Sequence, residues 1–106
     1  GDRATSWAAL TCEQMQAMVG QTFEIVSDNW PPVRVQLVQV DRLSTTSRPA
    51  WLLRKQPFNA RFRAQDAIDA ATLENATVRH RTLGASKLLL TEVPTASGLS
   101  IESVFA

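Results

Sequence analysis

The chain has no tyrosine, a single cysteine, a single histidine and only four glycines. Each scarcity removes a class of function. One cysteine, Cys12, excludes an internal disulfide and any multi-cysteine metal site, and its apolar neighbours read as those of a buried thiol rather than a reactive one. One histidine, His80, cannot build a histidine metal cluster, and no cysteine or carboxylate pair sits near it at ligand spacing. Four scattered glycines offer no phosphate-cradling motif. No apolar run approaches the roughly 20 residues that a bilayer-spanning helix needs. No metal and no cofactor is expected.

What is present suits one folded domain. The 106 residues are 44% hydrophobic, which is enough to bury a core without crosslinks and speaks against intrinsic disorder. The chain opens on Gly1-Asp2-Arg3, without an initiator methionine. Gly1 reads as a cleavage scar, so either a signal peptide was removed or a segment was excised from a longer chain. We favour an exported, periplasmic or envelope-associated protein over a cytoplasmic one. Residues 1–10 read as an N-terminal tail that Trp7 and Leu10 can anchor, and residues 11–106 as the single domain.

Alternation dominates the second half. Phe58, Ala60 and Phe62 share one parity, against Asn59, Arg61 and Arg63. Ala76, Val78 and His80 oppose Thr77, Arg79 and Arg81, while Leu99, Ile101 and Phe105 share the last face. Period two is the pattern of a strand with one face on a core and one in water. Strands are expected at Thr22–Ser27, Val33–Asp41, Phe58–Ala64, Thr77–Arg81, Lys87–Val93 and Leu99–Phe105. Asp28 to Pro32 reads as a turn, because its two prolines cannot donate to a ladder. Leu83-Gly84-Ala85-Ser86 reads as a tight turn, and Pro94 to Gly98 as a hairpin loop. In the second strand the apolar parity switches between Leu37 and Val38, which predicts a β-bulge there or burial of both faces.

One helix is expected, Thr11 to Val19. Thr11 with Gln14 makes a capping box, Cys12, Met15, Met18 and Val19 form the apolar face, and Gly20 supplies the stop. Gln65 to Thr72 could add a turn or two of helix. The fold class is therefore mainly β (α+β): a six-stranded antiparallel small barrel or half-barrel, with the N-terminal helix plugging one open end.

Chemical sites are thin. His80 shares the parity of Ala76 and Val78, which favours a packed structural histidine over a catalytic one. Asp66 and Asp69 lie three apart but in a polar stretch, where nothing would raise a carboxyl pKa. Asn75-Ala76-Thr77 matches a glycosylation acceptor at chance level. No catalytic residue is assigned, and the chain reads as non-enzymatic.

Charge distribution is the remaining signal. Net charge is +1, yet Arg42, Arg48, Arg54, Lys55, Arg61 and Arg63 fall in a stretch without acids, followed by Asp66, Asp69 and Glu74. The possible interaction surface is Trp51, Arg54, Lys55, Arg61 and Arg63. Interleaved aromatics and cations would suit single-stranded nucleic acid. The ribonucleoprotein-type strand motif is absent, so a protein partner is favoured and nucleic acid is the lesser alternative, beside a small-ligand barrel.

Several pieces recur together. They are Leu10-Thr11 leading into Val19-Gly20-Gln21-Thr22-Phe23, the strand Val33 to Val40, and Pro57-Phe58-Asn59-Ala60-Arg61-Phe62-Arg63. Val78-Arg79-His80, Leu83-Gly84 and Ile101-Glu102-Ser103-Val104-Phe105 complete the set. In that order the chain resembles, over about residues 10–106, a small bacterial domain-of-unknown-function family of about this length. It departs at Asn75-Ala76-Thr77, where relatives often carry Gly-Thr-Tyr, and at Ile101, where they often carry tyrosine. The resemblance implies a single-domain bacterial protein and carries no established activity, cofactor or catalytic residue.

Overall fold

A computed structural model of the chain describes residues 7–28, 30–44, 56–64, 68, 73–95 and 98–105. Among these, a 3₁₀ turn at Trp7–Ala9 leads into a short helix α1 (Cys12–Gln16). Seven strands follow: β1 (Thr22–Ser27), β2 (Trp30–Arg42), β3 (Phe58–Ala64), β4 (Thr77–His80), β5 (Gly84–Lys87), β6 (Thr91–Thr95) and β7 (Gly98–Phe105). They form one antiparallel sheet in the order β5-β4-β1-β2-β3-β7-β6. The fold is thus mainly β, but the expected six-stranded barrel is corrected to seven strands in an open sheet, with β5 and β6 as its edges.

The extra strand arises at Gly84. Gly84 takes a positive φ of 76°, as a turn residue would, but the turn ends there. His80 pairs with Gly84 and Thr77 with Lys87, so Ala85 and Ser86 lie in a ladder rather than in the expected tight turn. The expected strand from Lys87 to Val93 is likewise divided, because Leu88–Leu90 carries the chain from one edge strand to the other.

That short link dictates the shape. Across a flat seven-stranded sheet the edges would stand six spacings, about 29 Å, apart. The four Cα steps from Lys87 to Thr91 reach at most about 15 Å, so the sheet curls and brings β5 and β6 towards each other. The interior confirms the curl. Trp7 donates its indole Nε1–H to the Gly84 carbonyl on β5 (3.1 Å). The same ring stacks on Phe105 of β7 at 6.2 Å and meets Phe23 of β1 at 6.0 Å. Phe23 also packs edge-on against Phe62 of β3, and Phe58 stacks on Phe105. All of these rings are buried, as the alternation at Phe58, Ala60, Phe62, Ala76, Val78 and His80 requires.

β2 is irregular in two places. Leu37 pairs with Phe62 and Gln39 with Arg61, leaving Val38 as the extra residue of a bulge at the expected position. Nearer its start, Ser27 pairs with Trp30 but Ile25 with Val33, so Pro31 and Pro32 fall where the register slips. The prolines therefore belong to the strand and not to a turn. Among the described residues β3 pairs with β2 only from Val35 onward, so no described partner calls on their missing N–H groups.

The capping box at Thr11 and Gln14 forms in both directions: the Thr11 hydroxyl accepts from Gln14 N–H (3.1 Å) and Gln14 Oε1 from Thr11 N–H (2.9 Å). The helix is shorter than expected, ending at Gln16. Beyond it Met18 and Val19 donate to carbonyls three residues back, which winds the chain tighter than an α-helix. Cys12 and Met15 stay fully buried, but Val19 turns out to solvent at 46% exposure, against its expected place on the apolar face. Gly20, at φ 97°, then ties this end to β2 by donating to the Leu37 carbonyl. Thr11→Ala should lower stability by about 1 kcal/mol in a urea titration; no change would mean the cap is already replaced by water.

Candidate functional site

The most distinctive surface is the seam where the curled sheet fails to close. Leu88, Leu89 and Leu90 cross it, opposite Leu73, Glu74, Asn75 and Ala76. Between these segments and the first residues of β6 lies a groove of about 570 Å³. Leu73 and Leu90 form its floor, each 8% exposed, and Leu88 is partly buried against the core. Leu89 stands out at 87% exposed, which is exceptional for a leucine beside its own core. Among the described residues each edge strand has one sheet neighbour, so the sheet leaves main-chain groups on the other side of β5 and β6 unpaired. Pro94 removes one donor from β6. The charges at the rim are Glu74, Glu92 and Lys87.

His80 belongs to a different hollow, lined with Met18, Gln21, Thr22, Arg81 and Thr82. It is 4% exposed and packs on Phe23, with ring centroids 4.5 Å apart. Its Nδ1 accepts the Thr82 backbone N–H (3.2 Å), which assigns the ring proton to Nε2, and that proton points at Gln21 Oε1 (2.7 Å). Burial, with the nearby Arg81 charge second, holds its pKa below the ordinary 6.5. The imidazole is packed and held at both nitrogens, the burial its parity implied. The sign for stability follows. The unfolded chain takes up this proton as pH falls below about 6.5, while the folded one resists until lower pH. Stability should therefore be full above pH 6.5 and decline below it, and His80→Gln should flatten that slope; an unchanged slope in acid urea titrations would contradict this arrangement.

Cys12 is fully buried, and desolvation pushes its thiol up from the ordinary value of 9.0. Such a thiol is a poor nucleophile at neutral pH. Among the described residues no group of three histidine, cysteine or carboxylate side chains is placed to hold a metal. No helix among them is long and apolar enough to cross a membrane.

The basic stretch is only partly within view. Trp51, Arg54 and Lys55 lie outside the described residues, as do Arg48 and the alanine-rich segment apart from Ile68. Arg61 does not extend freely. Its Nε donates to Glu102 Oε2 (2.9 Å) and its Nη1 to Gln39 Oε1 (3.4 Å). Asn59 donates to the other Glu102 oxygen, and Gln39 to the Asp41 carboxylate. Arg42 faces Glu13 at 3.2 Å on an exposed surface. Arg63 is exposed on the outer face of β3. Two of the three described members of the stripe are thus already opposed by acids from other elements.

Sequence reasoning missed the seam because it placed Leu88–Leu90 inside one strand. The available signal was the outward parity of Leu89 in a run of three leucines. It also overlooked Arg34, which the sheet order brings across β1 from Arg79. No match was found among curated proteins or among solved structures. Residues 10–105 match the family model of a domain of unknown function, DUF6916, and the chain belongs to that family.

Proposed function

We propose that this domain is a non-enzymatic binding module that docks an extended segment of a partner protein along the seam. The observation that carries the reading is Leu89, 87% exposed beside an apolar floor and between two sheet edges. An extended segment suits such a place. It can pair its backbone with an open edge and seat alternate side chains in the groove. Two glutamates against one lysine at the rim favour a segment that carries a basic residue next to its apolar anchor.

A displayed random-peptide library panned against the domain tests this reading. Selection of a consensus with an apolar anchor and a neighbouring Lys or Arg, lost on Leu89→Asp, is expected. Leu89 is exposed, so that variant should melt as the native protein does. No consensus, or one indifferent to Leu89→Asp, would defeat the reading. Nucleic-acid binding ranks second, since Arg42 and Arg61 already face acids. A mixed single-stranded oligonucleotide should give no measurable anisotropy change at physiological salt; salt-sensitive micromolar binding would reverse the ranking. The small-ligand reading gains little, because the aromatic interior is filled by rings in contact.

A further inference from the structure

A second surface, at the end of β5 away from the seam, has a different chemistry. On the outer face, Arg79 of β4, Glu24 of β1 and Arg34 of β2 form one cross-strand row. Arg81, just past β4, and Thr22 border the same hollow, which has a volume of about 770 Å³. The hollow holds three guanidiniums against one carboxylate, and His80, whose burial keeps its pKa below the ordinary value, also lines it. Two positive charges are left uncompensated there, whereas the whole chain carries only +1.

The pairing within the row is lopsided. Arg79 spends both Nε (3.0 Å) and Nη2 (2.7 Å) on a single oxygen, Glu24 Oε1. Arg34 stands directly opposite Glu24 on the other side, yet makes no ion pair among the described residues, and neither does Arg81. Both are exposed, and each presents a planar fork suited to a tetrahedral oxyanion. Thr22 adds a hydroxyl donor. From this geometry we infer that the hollow is an oxyanion site for the phosphate group of a small molecule, held by Arg34 and Arg81 with Thr22. The excess of two charges selects the phosphate over a carboxylate. A phosphate monoester carries about −1.5 to −2 at neutral pH, against −1 for a carboxylate, and the volume leaves room for the rest of the molecule.

Inorganic phosphate is the probe, titrated into ¹⁵N-labelled protein at constant ionic strength and followed by amide shifts. Saturable shifts are expected at Thr22, Arg79, Arg81 and Ala85 and not at Arg63, an exposed arginine elsewhere on the sheet. Acetate at the same ionic strength should bind at least tenfold more weakly. Arg34→Gln with Arg81→Gln should weaken phosphate at least tenfold, while Arg63→Gln leaves it unchanged; thermal melts check that each variant is folded. Glu24→Gln should tighten binding several-fold, because it removes the competing carboxylate and releases the Arg79 fork. Shifts that are non-saturating, equal for acetate, or equally sensitive to Arg63→Gln would mean diffuse screening only and would overturn the site. A Glu24→Gln variant that binds phosphate more weakly would overturn the assigned roles.

Discussion

Phe23→Ala should destabilise the domain by about 3–5 kcal/mol, the range for removing a fully buried phenyl ring. Phe23 is 0% exposed and sits where three elements converge. It meets Trp7 at 6.0 Å, Phe62 edge-on at 5.3 Å and the His80 ring at 4.5 Å. Truncation leaves a cavity that a curled sheet cannot easily collapse, because its strands are held in register on both sides of β1. Since domains of this size are stable by only about 5–15 kcal/mol, Phe23→Leu provides a gentler companion that should lose less. Arg63→Ala, on an exposed outer position, should stay within about 0.5 kcal/mol. Urea titrations in which Phe23→Ala and Arg63→Ala lose the same stability would refute the inner and outer faces assigned here.

Trp7→Ala should be of similar size, about 3–5 kcal/mol, although Trp7 precedes the sheet and belongs to none of its strands. The ring is 6% exposed and is the one side chain described that links the edge strand β5 to both β1 and β7. The loss should therefore be spatially uneven. Amide exchange along Gly84–Lys87 should accelerate more than exchange in β3, which keeps β2 and β7 on either side. Trp7→Phe keeps most of the packing and drops the hydrogen bond to Gly84, so it should cost about 1 kcal/mol. If Trp7→Ala melts as the native protein does, the ring is not part of the core.

How much of this was legible in the residues depends on the range of the interaction. Parity at Phe58–Phe62 and at Ala76–His80 reported burial directly, because it records which face of a strand meets apolar neighbours. The capping box at Thr11 and the slip at Leu37–Val38 were also readable, each being confined to a few residues. What failed depended on partners distant in the chain. Gly84 looked like the centre of a turn, since a positive φ is needed either way, and only pairing with His80 makes it the first residue of a strand. Pro31 and Pro32 look like strand breakers, yet among the described residues β3 meets β2 only from Val35 onward, so no partner there needs their N–H groups. Trp7 is readable as an anchor of the tail, and it is buried, but which strands it joins depends on a sheet order that adjacent residues do not reveal. The candidate surfaces share that limitation. Leu89 matters because two edges meet around it, and Arg34 because β1 lies between β2 and β4.

Nuclear Overhauser contacts from the Trp7 indole test the curled, open sheet most directly. In a flat sheet of this order β1 and β7 are three spacings apart, about 14 Å, and β5 and β7 five, about 24 Å. One ring could not reach all three. The curl predicts cross-peaks from Trp7 to the Phe23 ring, the Phe105 ring and the Gly84 α-protons in the same spectrum. Contacts to only one of those strands, with the other two absent, would contradict the curl and with it the seam on which the binding proposal stands.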